Sequence, residues 1–314
     1  MKALVTGAAG FAGRYLVSLL LEKGYEVCAT YHRAPLIGEG SRRLVQEQMD
    51  VTDRPALYRL CRNFKPDEVY HLAGIAVTTG RDAGLYYRVN FLGTVNLFDA
   101  LREEAQSAKI LYVSSGNIYG AVENCGQPIR EEHGLNPPGH YAASKAAADV
   151  ICSAYVTEGM HIIRARPFNH TGPGQSTAYV CSRLAERVAA AVLGQAPPVV
   201  ETGNLDAARD FTDVRDVVEA YWLLLQKGRS GEAYNVCSQR AYSIREIAGL
   251  LAEHSGADVT FRSRPDLVRR TDIPVLLGCR DKIGRDTGWK PKIPLRTTLQ
   301  DLLLYWLEKL REGK

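Results

Sequence analysis

A glycine-rich turn directly after the first apolar strand restricts the fold of this chain more than any other feature. Residues Lys2 to Val5 are predicted as a strand, and Thr6-Gly7-Ala8-Ala9-Gly10-Phe11-Ala12-Gly13 follows at once. Glycines spaced three apart let the chain turn sharply, let backbone N–H groups approach a pyrophosphate, and let the next helix pack closely on the sheet. That helix begins with about half a positive charge facing the anion. The pattern therefore predicts a dinucleotide-binding βαβ unit.

The first half of the chain alternates short apolar runs with helical stretches. Near-continuous apolar strands between helices are typical of a parallel sheet covered on both faces. We therefore predict the α/β class, with a Rossmann-type doubly wound parallel sheet. The predicted strands are 3–5, 27–31, 68–72, 110–114 and 161–165, and the predicted helices are roughly 12–23, 53–64, 84–105 and 141–158.

The character of the sequence changes after Arg166-Pro167, where glycine and proline become frequent. We predict a nucleotide-binding Rossmann domain over 1–168, to which 211–237 returns, and a smaller C-terminal α/β substrate-binding region over 169–210 and 238–314. The remaining predicted elements are helices near 178–194, 213–227, 243–255 and 296–311, and a strand at 233–236.

Composition excludes several classes of protein. The chain has 314 residues, 46% of them hydrophobic and 24% charged, as in ordinary soluble globular proteins. Its net charge of +4 is spread along the chain, which does not indicate nucleic-acid binding. No apolar stretch reaches the roughly 18 residues that cross a bilayer, and Met1-Lys2 leads straight into a strand, so we expect a cytoplasmic protein without a signal peptide or membrane contact. Seven widely spaced cysteines without a Cys-x-x-Cys pair predict reduced thiols and no metal site.

The end of the second strand bears on the choice of cofactor. An acidic residue there favours NAD, because it bonds the ribose 2′-hydroxyl, whereas a cation accommodates the 2′-phosphate of NADP. The sequence Thr30-Tyr31-His32-Arg33 has no acid and one guanidinium, so NADPH is favoured, with NADH possible. Asp50-Val51 is placed to meet adenine, and Leu72-Ala73-Gly74 offers small residues that would admit the cofactor.

Three further residues predict a proton-transfer site. Tyr141 and Lys145 are one helical turn apart and face the same way, and Ser115 follows a predicted strand. At about 5 Å and an effective dielectric near 20, a lysine charge supplies roughly 3 kcal/mol, or about two pKa units, to stabilise the phenolate. With a dinucleotide site, this trio predicts carbonyl redox chemistry, in which Ser115 orients the substrate oxygen. The predicted catalytic residues are Ser115, Tyr141 and Lys145, and the predicted cofactor-binding residues are Gly7, Gly10, Phe11, Ala12, Gly13, Thr30, Arg33, Asp50, Val51, Leu72, Ala73, Gly74, Tyr141, Lys145 and Phe168.

The glycine loop, Ser115 and the Tyr141-Ala-Ala-Ser-Lys145 spacing together resemble the extended short-chain dehydrogenase/reductase family over essentially the whole chain. Four longer segments are similar to the GDP-sugar reductases of that family. They are Arg166-Pro-Phe-Asn-His-Thr-Gly-Pro-Gly-Gln175, Arg209-Asp-Phe-Thr-Asp-Val-Arg-Asp216, Tyr234-Asn-Val-Cys-Ser238 and Thr287-Gly-Trp-Lys-Pro291. The resemblance implies a GDP-sugar substrate, bound mainly by the C-terminal region, and a homodimer built on helices 84–105 and 141–158.

The same resemblance implies roles for individual substrate-binding residues. Asn169 would meet the substrate diphosphate, and Arg209 and Arg269 would meet the diphosphate or the GDP ribose, for which a guanidinium is suited. Arg270 is an alternative to Arg269. The full set implied to bind substrate is Ser115, Asn117, Asn169, Arg209, Arg269 and Asp272.

Departures from the family pattern narrow the expected reaction. Related dehydratases place acids just after the catalytic Ser or Thr, and related epimerising reductases use a cysteine beside the catalytic serine, whereas this chain has Gly116 and Asn117 there. We therefore expect direct NADPH-dependent reduction of the C4 ketone of GDP-4-keto-6-deoxy-D-mannose to GDP-D-rhamnose. The alternatives are a nucleotide-sugar 4-epimerase with tightly held NAD and a non-catalytic NADP-binding sensor. The C4 configuration of the product and the identity of the base stay open.

Overall fold

The computed structural model describes residues 1–36, 41–76, 82–122, 127–267 and 273–313. Its main sheet has seven strands, all paired in parallel, which confirms the predicted α/β class and the Rossmann-type arrangement. The strands of this sheet, numbered in chain order, are β1 (Lys2–Thr6), β2 (Glu26–Tyr31), β3 (Leu44–Gln48), β4 (Glu68–His71), β5 (Lys109–Val113), β6 (His161–Pro167) and β10 (Ala233–Val236). Their spatial order is β10-β6-β5-β4-β1-β2-β3. The chain therefore adds β2 and β3 on one side of β1 and the later strands on the other side, which places the switch point between β1 and β4. Ligands of such sheets bind at the carboxyl ends of the strands near this switch point.

Helices cover both faces of the main sheet. On one face, α1 (Phe11–Glu22) packs against α7 (Val214–Lys227) over a core that includes Leu16, Leu20 and Tyr221. The other face carries α2 (Arg54–Phe64), α4 (Gly93–Glu104) and α5 (His140–Thr157) over a second apolar core. No helix among the described residues is both long and apolar enough to span a bilayer.

The remaining elements form two smaller sheets and their helices. The strands β7 (Asn169–Thr171), β9 (Ala208–Asp213), β11 (Ala241–Ser243) and β13 (Val275–Leu276) make a four-stranded sheet, and β8 (Val199–Thr202) pairs with β12 (Thr260–Ser263). Beside them a third apolar core is built by α6 (Val180–Val192), α8 (Ile244–Ser255) and α10 (Leu295–Arg311). The shorter helices are α3 (Ala83–Tyr86) and α9 (Asp281–Thr287).

Three differences from the sequence-based expectations concern the main sheet and its helices. The single helix predicted over 84–105 is divided into α3, a π-helical segment at Tyr87–Leu92, and α4. The edge strand β3 was not predicted, because its sequence Leu-Val-Gln-Glu-Gln is mostly polar and partly exposed. Residues 211–213 belong to β9 of the smaller sheet, so only α7 and β10 of the returning segment 211–237 lie on the main sheet. The division into two functional regions stays a prediction.

The glycine loop is held by backbone contacts that leave no room for side chains. Gly7 has φ +70°, and a Cβ on it would lie 2.7 Å from the backbone nitrogen of Ala73. A Cβ on Gly13, in the first turn of α1, would lie 2.5 Å from the carbonyl oxygen of Gly7. Real Cβ contacts are longer than this, so α1 can approach β1 this closely only with glycine at 13.

Replacing Gly13 with alanine therefore should destabilise the protein, by about 1–3 kcal/mol of unfolding free energy, because a methyl group would be forced against backbone. Gly249 provides a matched control, since it also lies in a helix but a Cβ added to it would meet nothing within 4 Å. Gly249→Ala should instead stabilise by about 0.5–1 kcal/mol through helix propensity. Denaturant unfolding of both variants gives the measurement, and equal effects of the two changes would contradict the packing argument.

Candidate active site

Ser115 and Tyr141 meet where β5 ends and α5 begins. Ser115 follows β5 and caps a 3₁₀ turn over Gly116–Tyr119, with its hydroxyl oxygen accepting the backbone N–H of Asn117 at 3.2 Å. Tyr141 lies in the first turn of α5 and shares a side-chain hydrogen bond with Ser115. The two hydroxyl groups are thus close enough for Ser115 to oppose the rise in the pKa of Tyr141.

The pKa of Tyr141 moves in the direction opposite to the sequence-based expectation. Burial raises this pKa to about 12, the hydrogen bond from Ser115 opposes the rise, and the nearby phenol of Tyr179 adds to it. The expected lowering by Lys145 is not found, because the cost of burying a phenolate outweighs the charges around it. Tyr141 is therefore a protonated acid at neutral pH.

Lys145 is buried, and its ammonium group is directed to the end of β5. Its Nζ donates to the carbonyl oxygen of Val113 at 2.5 Å and lies 4.5 Å from the centre of the Tyr112 ring. Burial lowers the pKa of Lys145 to about 8, and Asp149 on the next turn of α5 opposes that change. Ser115 and Tyr141 therefore meet at the start of α5, and the ammonium group of Lys145, one turn further along this helix, lies at the end of β5.

The residue after Ser115 is a glycine, and the packing around it leaves little space for a side chain. A Cβ on Gly116 would lie 3.0–3.1 Å from ring carbons of Phe168, and a Cβ on Gly278 would lie 2.7–2.8 Å from ring carbons of the same residue. Phe168 also stacks on Tyr119, with ring centroids 6.3 Å apart. A larger side chain at 116 therefore requires Phe168 to move. Asn117, the next residue, is partly exposed and has no acidic or basic group.

The glycine loop has the features of an anion site. Helix α1 begins at Phe11 with no side chain capping it and no acidic residue in its first turn. The first N–H groups of a helix lack intrahelical acceptors, so those of Phe11, Ala12 and Gly13 are available to a phosphate. The ring of Phe11 is stacked parallel to that of His170, with centroids 6.0 Å apart, which links this loop to β7. The loop residues thus fit a dinucleotide pyrophosphate.

The residues expected near the adenosine lie at the ends of β2 and β3. Thr30 is buried, and its carbonyl oxygen accepts the N–H of Ala8 at 3.0 Å. Arg33 is exposed two residues beyond β2. Asp50 accepts both the N–H and the hydroxyl of Thr52 at 2.8 Å, which lowers the pKa of its carboxyl against the effect of burial. Val51 packs under Gly93, whose Cβ would lie 2.6 Å from it.

A buried histidine supports the end of β4, where Leu72, Ala73 and Gly74 follow. The Nδ1 atom of His71 lies 2.7 Å from the Thr6 hydroxyl, and its Nε2 atom lies 3.0 Å from the Thr94 hydroxyl. Because Thr94 donates its own proton to a backbone carbonyl at 2.7 Å, it accepts from Nε2–H, and Thr6 donates to Nδ1. Burial lowers the pKa of His71 to about 3, so the ring is neutral in the folded protein.

The substrate residues implied by the family resemblance are only partly described. Asn169 begins β7 and pairs with Phe211 of β9, and Arg209 lies two residues earlier on β9. The guanidinium of Arg209 donates to the carbonyl oxygen of Ala208 at 2.8 Å. The other residues of that group, Arg269, Arg270 and Asp272, lie outside the described residues.

Three further residues near the site were not found from the sequence. Tyr179 precedes α6, is partly exposed, and is close enough to raise the pKa of Tyr141. His170 stacks on Phe11, as described above. Asn90, fully buried in the π-helical segment, donates to Ser144 of α5 at 2.9 Å and accepts from the N–H of Ile75 at 2.7 Å. In the sequence, only the position of a polar residue on an apolar helix face could have indicated Asn90.

Cysteine chemistry and metal binding receive no support from the described part of the chain. Six cysteines are described, and all six are buried free thiols. Within the same described ranges, no group of three or more His, Cys, Asp or Glu side chains is arranged to hold a metal ion.

The neutral His71 predicts a specific acid sensitivity. Its pKa is depressed from 6.5 when unfolded to about 3 when folded, so the unfolded chain binds a proton first. Its contribution to stability is fully present above pH 6.5 and is lost as pH falls towards 3, with a slope of up to about 1.4 kcal/mol per pH unit. We expect His71→Gln to be less stable at pH 7 but to lose less stability on acidification. Denaturant unfolding between pH 7 and pH 5 measures this, with exposed His32→Gln as the control. Equal pH slopes in wild type and His71→Gln would contradict the assignment.

Known proteins resemble this chain over its whole length. The model of the GDP-mannose 4,6 dehydratase family matches residues 4–302. The chain is 35% identical to the GDP-6-deoxy-D-mannose reductase of Pseudomonas aeruginosa, over 99% of each protein.

Two solved structures share the fold. RMD from Pseudomonas aeruginosa complexed with NADPH superposes with a TM-score of 0.86 at 34% identity, covering 98% of this chain and 99% of that one. The UDP-glucose 4-epimerase of Thermus thermophilus, complexed with NAD, gives the same TM-score of 0.86 at 30% identity, again covering 98% and 99%. The expected resemblance to short-chain dehydrogenases/reductases is thereby confirmed, and the chain belongs to the GDP-mannose 4,6 dehydratase family.

Proposed function

We propose that this protein is an NADPH-dependent reductase that converts the C4 ketone of GDP-4-keto-6-deoxy-D-mannose into the alcohol of GDP-D-rhamnose. The observation that carries this proposal is the hydrogen-bonded pair Ser115 and Tyr141 beside Gly116, where Phe168 occupies the space of an additional side chain. A reduction needs one proton donor and no second acid or base. The 35% identity to a GDP-6-deoxy-D-mannose reductase supports the same substrate.

The residues of the site suit donation of a proton more than its removal. The pKa of Tyr141, near 12, keeps the phenol protonated at neutral pH, ready to protonate the alkoxide that forms at C4. Ser115 orients the carbonyl oxygen, and Lys145 holds the ribose hydroxyls of the nicotinamide and assists Tyr141 once the phenolate forms. When bound, NADPH supplies the hydride.

The smaller sheet is the proposed location of the GDP-sugar. Asn169 and Arg209 lie on the neighbouring strands β7 and β9, two residues apart in register, and an amide and a guanidinium there are proposed to bind the diphosphate. Arg269 and Asp272 are proposed to complete this site, and Asn117 to contact the sugar. The assignment of 169–210 and 238–314 to substrate and the cytoplasmic location stay expectations from the sequence, and the homodimer stays an expectation from the family resemblance.

An epimerase is the main alternative, and its fold is equally similar. An epimerase must first remove a proton and a hydride from an alcohol, so it needs a tyrosine that acts as a base at neutral pH. Burial of Tyr141 works against this role. Such enzymes also hold NAD tightly, so stoichiometric NAD on the purified protein would favour epimerisation over reduction.

Loss of the Tyr141 hydroxyl should strongly reduce ketone reduction. We expect Tyr141→Phe to lower kcat by about 10²–10⁴-fold, the usual contribution of a general acid. The assay offers GDP-4-keto-6-deoxy-D-mannose and NADPH, follows the absorbance of the reduced nicotinamide, and identifies the sugar by NMR. Tyr58→Phe is the matched control, because its hydroxyl bonds Glu103 and Arg54 on α4 and α2, and it should retain full activity. Wild-type rates in Tyr141→Phe would show that another group donates the proton.

Arg33 should set the preference for NADPH. Arg33→Ala removes the one guanidinium in the segment Thr30 to Arg33, so KM for NADPH should rise about tenfold or more while KM for NADH changes little. Arg14→Ala serves as a control cation on α1, since its guanidinium already donates to the carbonyl oxygen of Ala9. An equal change in both cofactors' KM would remove Arg33 from the 2′-phosphate site.

A further inference from the structure

One turn beyond Lys145, helix α5 buries a carboxylate that the proposed reaction does not use. Asp149 has no exposed surface, and Lys145 is 5% exposed. Residues four apart on a helix are neighbours on one face, and helical side chains lean towards the N-terminus. Asp149 therefore lies on the same buried face of α5 as Lys145, one turn further along the helix.

Two arginines of β6 hold Asp149 from the other side. Arg166 donates through Nε to Oδ2 at 3.1 Å and through Nη2 to Oδ1 at 2.8 Å, a two-point contact that fixes the carboxylate plane. Arg164 adds a contact from Nη1 to Oδ1 at 3.3 Å. The side chains of Arg166 and Arg164 are only 7% and 16% exposed.

Arg164 and Arg166 contact the buried Asp149 carboxylate directly. Lys145 lies one helical turn away on the same buried face, where the negative charge of Asp149 acts on it through space and raises its pKa against the effect of burial. Lys145 also contacts a carbonyl oxygen and an aromatic ring, neither of which carries a full negative charge. Since burying a charge without a counter-charge is costly, removing Asp149 should remove the main support for a charged Lys145.

The surroundings of this cluster contain few other titratable groups among the described residues. On α5 itself the neighbours are Tyr141 and Cys152, which both remain uncharged at neutral pH because burial raises their pKa values. From β4, neutral His71 faces Lys145, and its pKa is lowered partly by that charge. The remaining titratable groups that face the cluster are Tyr112 of β5, Tyr119 of the 3₁₀ turn, and Glu131.

We propose that Asp149, held in place by Arg166 and Arg164, is the buried counter-charge that keeps Lys145 protonated. Asp149 is then a positioning residue, since it acts through Lys145 and touches no reacting atom. The two arginines compete with Lys145 for the same carboxylate, so they limit how strongly Asp149 can support it. The consequence for catalysis rests on the proposed role of Lys145, whereas the electrostatic coupling itself does not.

The coupling is measured by NMR titration of the protein labelled with ¹³C at the lysine ε-carbons, without cofactor, using Lys145→Met to assign the resonance. In wild type the resonance of Lys145 should titrate near pH 8. Asp149→Asn removes the counter-charge and should lower the midpoint by about one pH unit or more. Arg164→Met removes a competing cation and should raise it. The opposite signs matter, because a general loosening of the fold would move both midpoints in the same direction.

Tyr119→Phe is the matched control. It removes a hydroxyl that accepts from Arg166 at 2.8 Å and donates to Asn235 at 2.8 Å, while every charge is kept. We expect a lower Tm and an unchanged Lys145 midpoint. Midpoints that stay fixed in Asp149→Asn, or shift in the same direction in both charge variants, would overturn the proposal. If Asp149→Asn does not fold, the upward shift in Arg164→Met decides alone, and its absence overturns the proposal.

The alkaline limb of the pH profile of NADPH oxidation separates this proposal from the proposed function. In Arg164→Met this alkaline limb should move to higher pH, together with the NMR midpoint of Lys145. A moved midpoint with an unmoved limb would support the counter-charge and refute the role assigned to Lys145 in reduction.

Discussion

Burial of one face of α5 against β5 and β6 is the interaction on which the chemistry of this site depends. Because this burial removes water from around the two side chains, it raises the pKa of Tyr141 to about 12 and lowers the pKa of Lys145 to about 8. Both shifts disfavour charge in the site, so the resting trio contains a protonated phenol and a lysine that is easily neutralised. At neutral pH such a site holds the proton that reduction of a ketone consumes, whereas removal of a proton from an alcohol would first require the phenolate, which burial disfavours.

Phe168 connects that chemistry to the substrate side of the molecule. Its ring packs closely against both Gly116 and Gly278, and the next residues are Asn169 and His170 of β7. The residue that closes the position beside Ser115 thus directly precedes the strand proposed to bind the diphosphate. A change of reaction type in this scaffold would need the aromatic packing and that strand to move together.

Much of the fold followed from local sequence patterns, because apolar periodicity and glycine spacing are local properties. The glycine loop predicted β1 and α1, and six of the seven strands of the main sheet lie where apolar runs indicated them. Strand β3 was not predicted because its sequence is mostly polar and becomes a strand through its pairing with β2. The π-helical segment was not predicted because a one-residue shift in hydrogen bonding leaves the apolar pattern of 84–105 almost unchanged. The members of the site stay predictions, and the direction of the pKa shift of Tyr141 was not predictable from the sequence. The spacing along the helix predicted that Lys145 would lower the pKa of Tyr141. The burial that raises this pKa instead depends on contacts with β5 and β6, which helical spacing does not reveal.

Transfer of isotope from the cofactor tests the central claim, direct reduction at C4, most directly. GDP-4-keto-6-deoxy-D-mannose is incubated with NADPH deuterated at either face of the nicotinamide C4, and the sugar product is examined by NMR and mass spectrometry. One of the two cofactors should place a single deuterium at C4 of the sugar, with one NADPH consumed per product. Sugar conversion without consumption of NADPH or uptake of deuterium, or no conversion with either cofactor, would contradict the account.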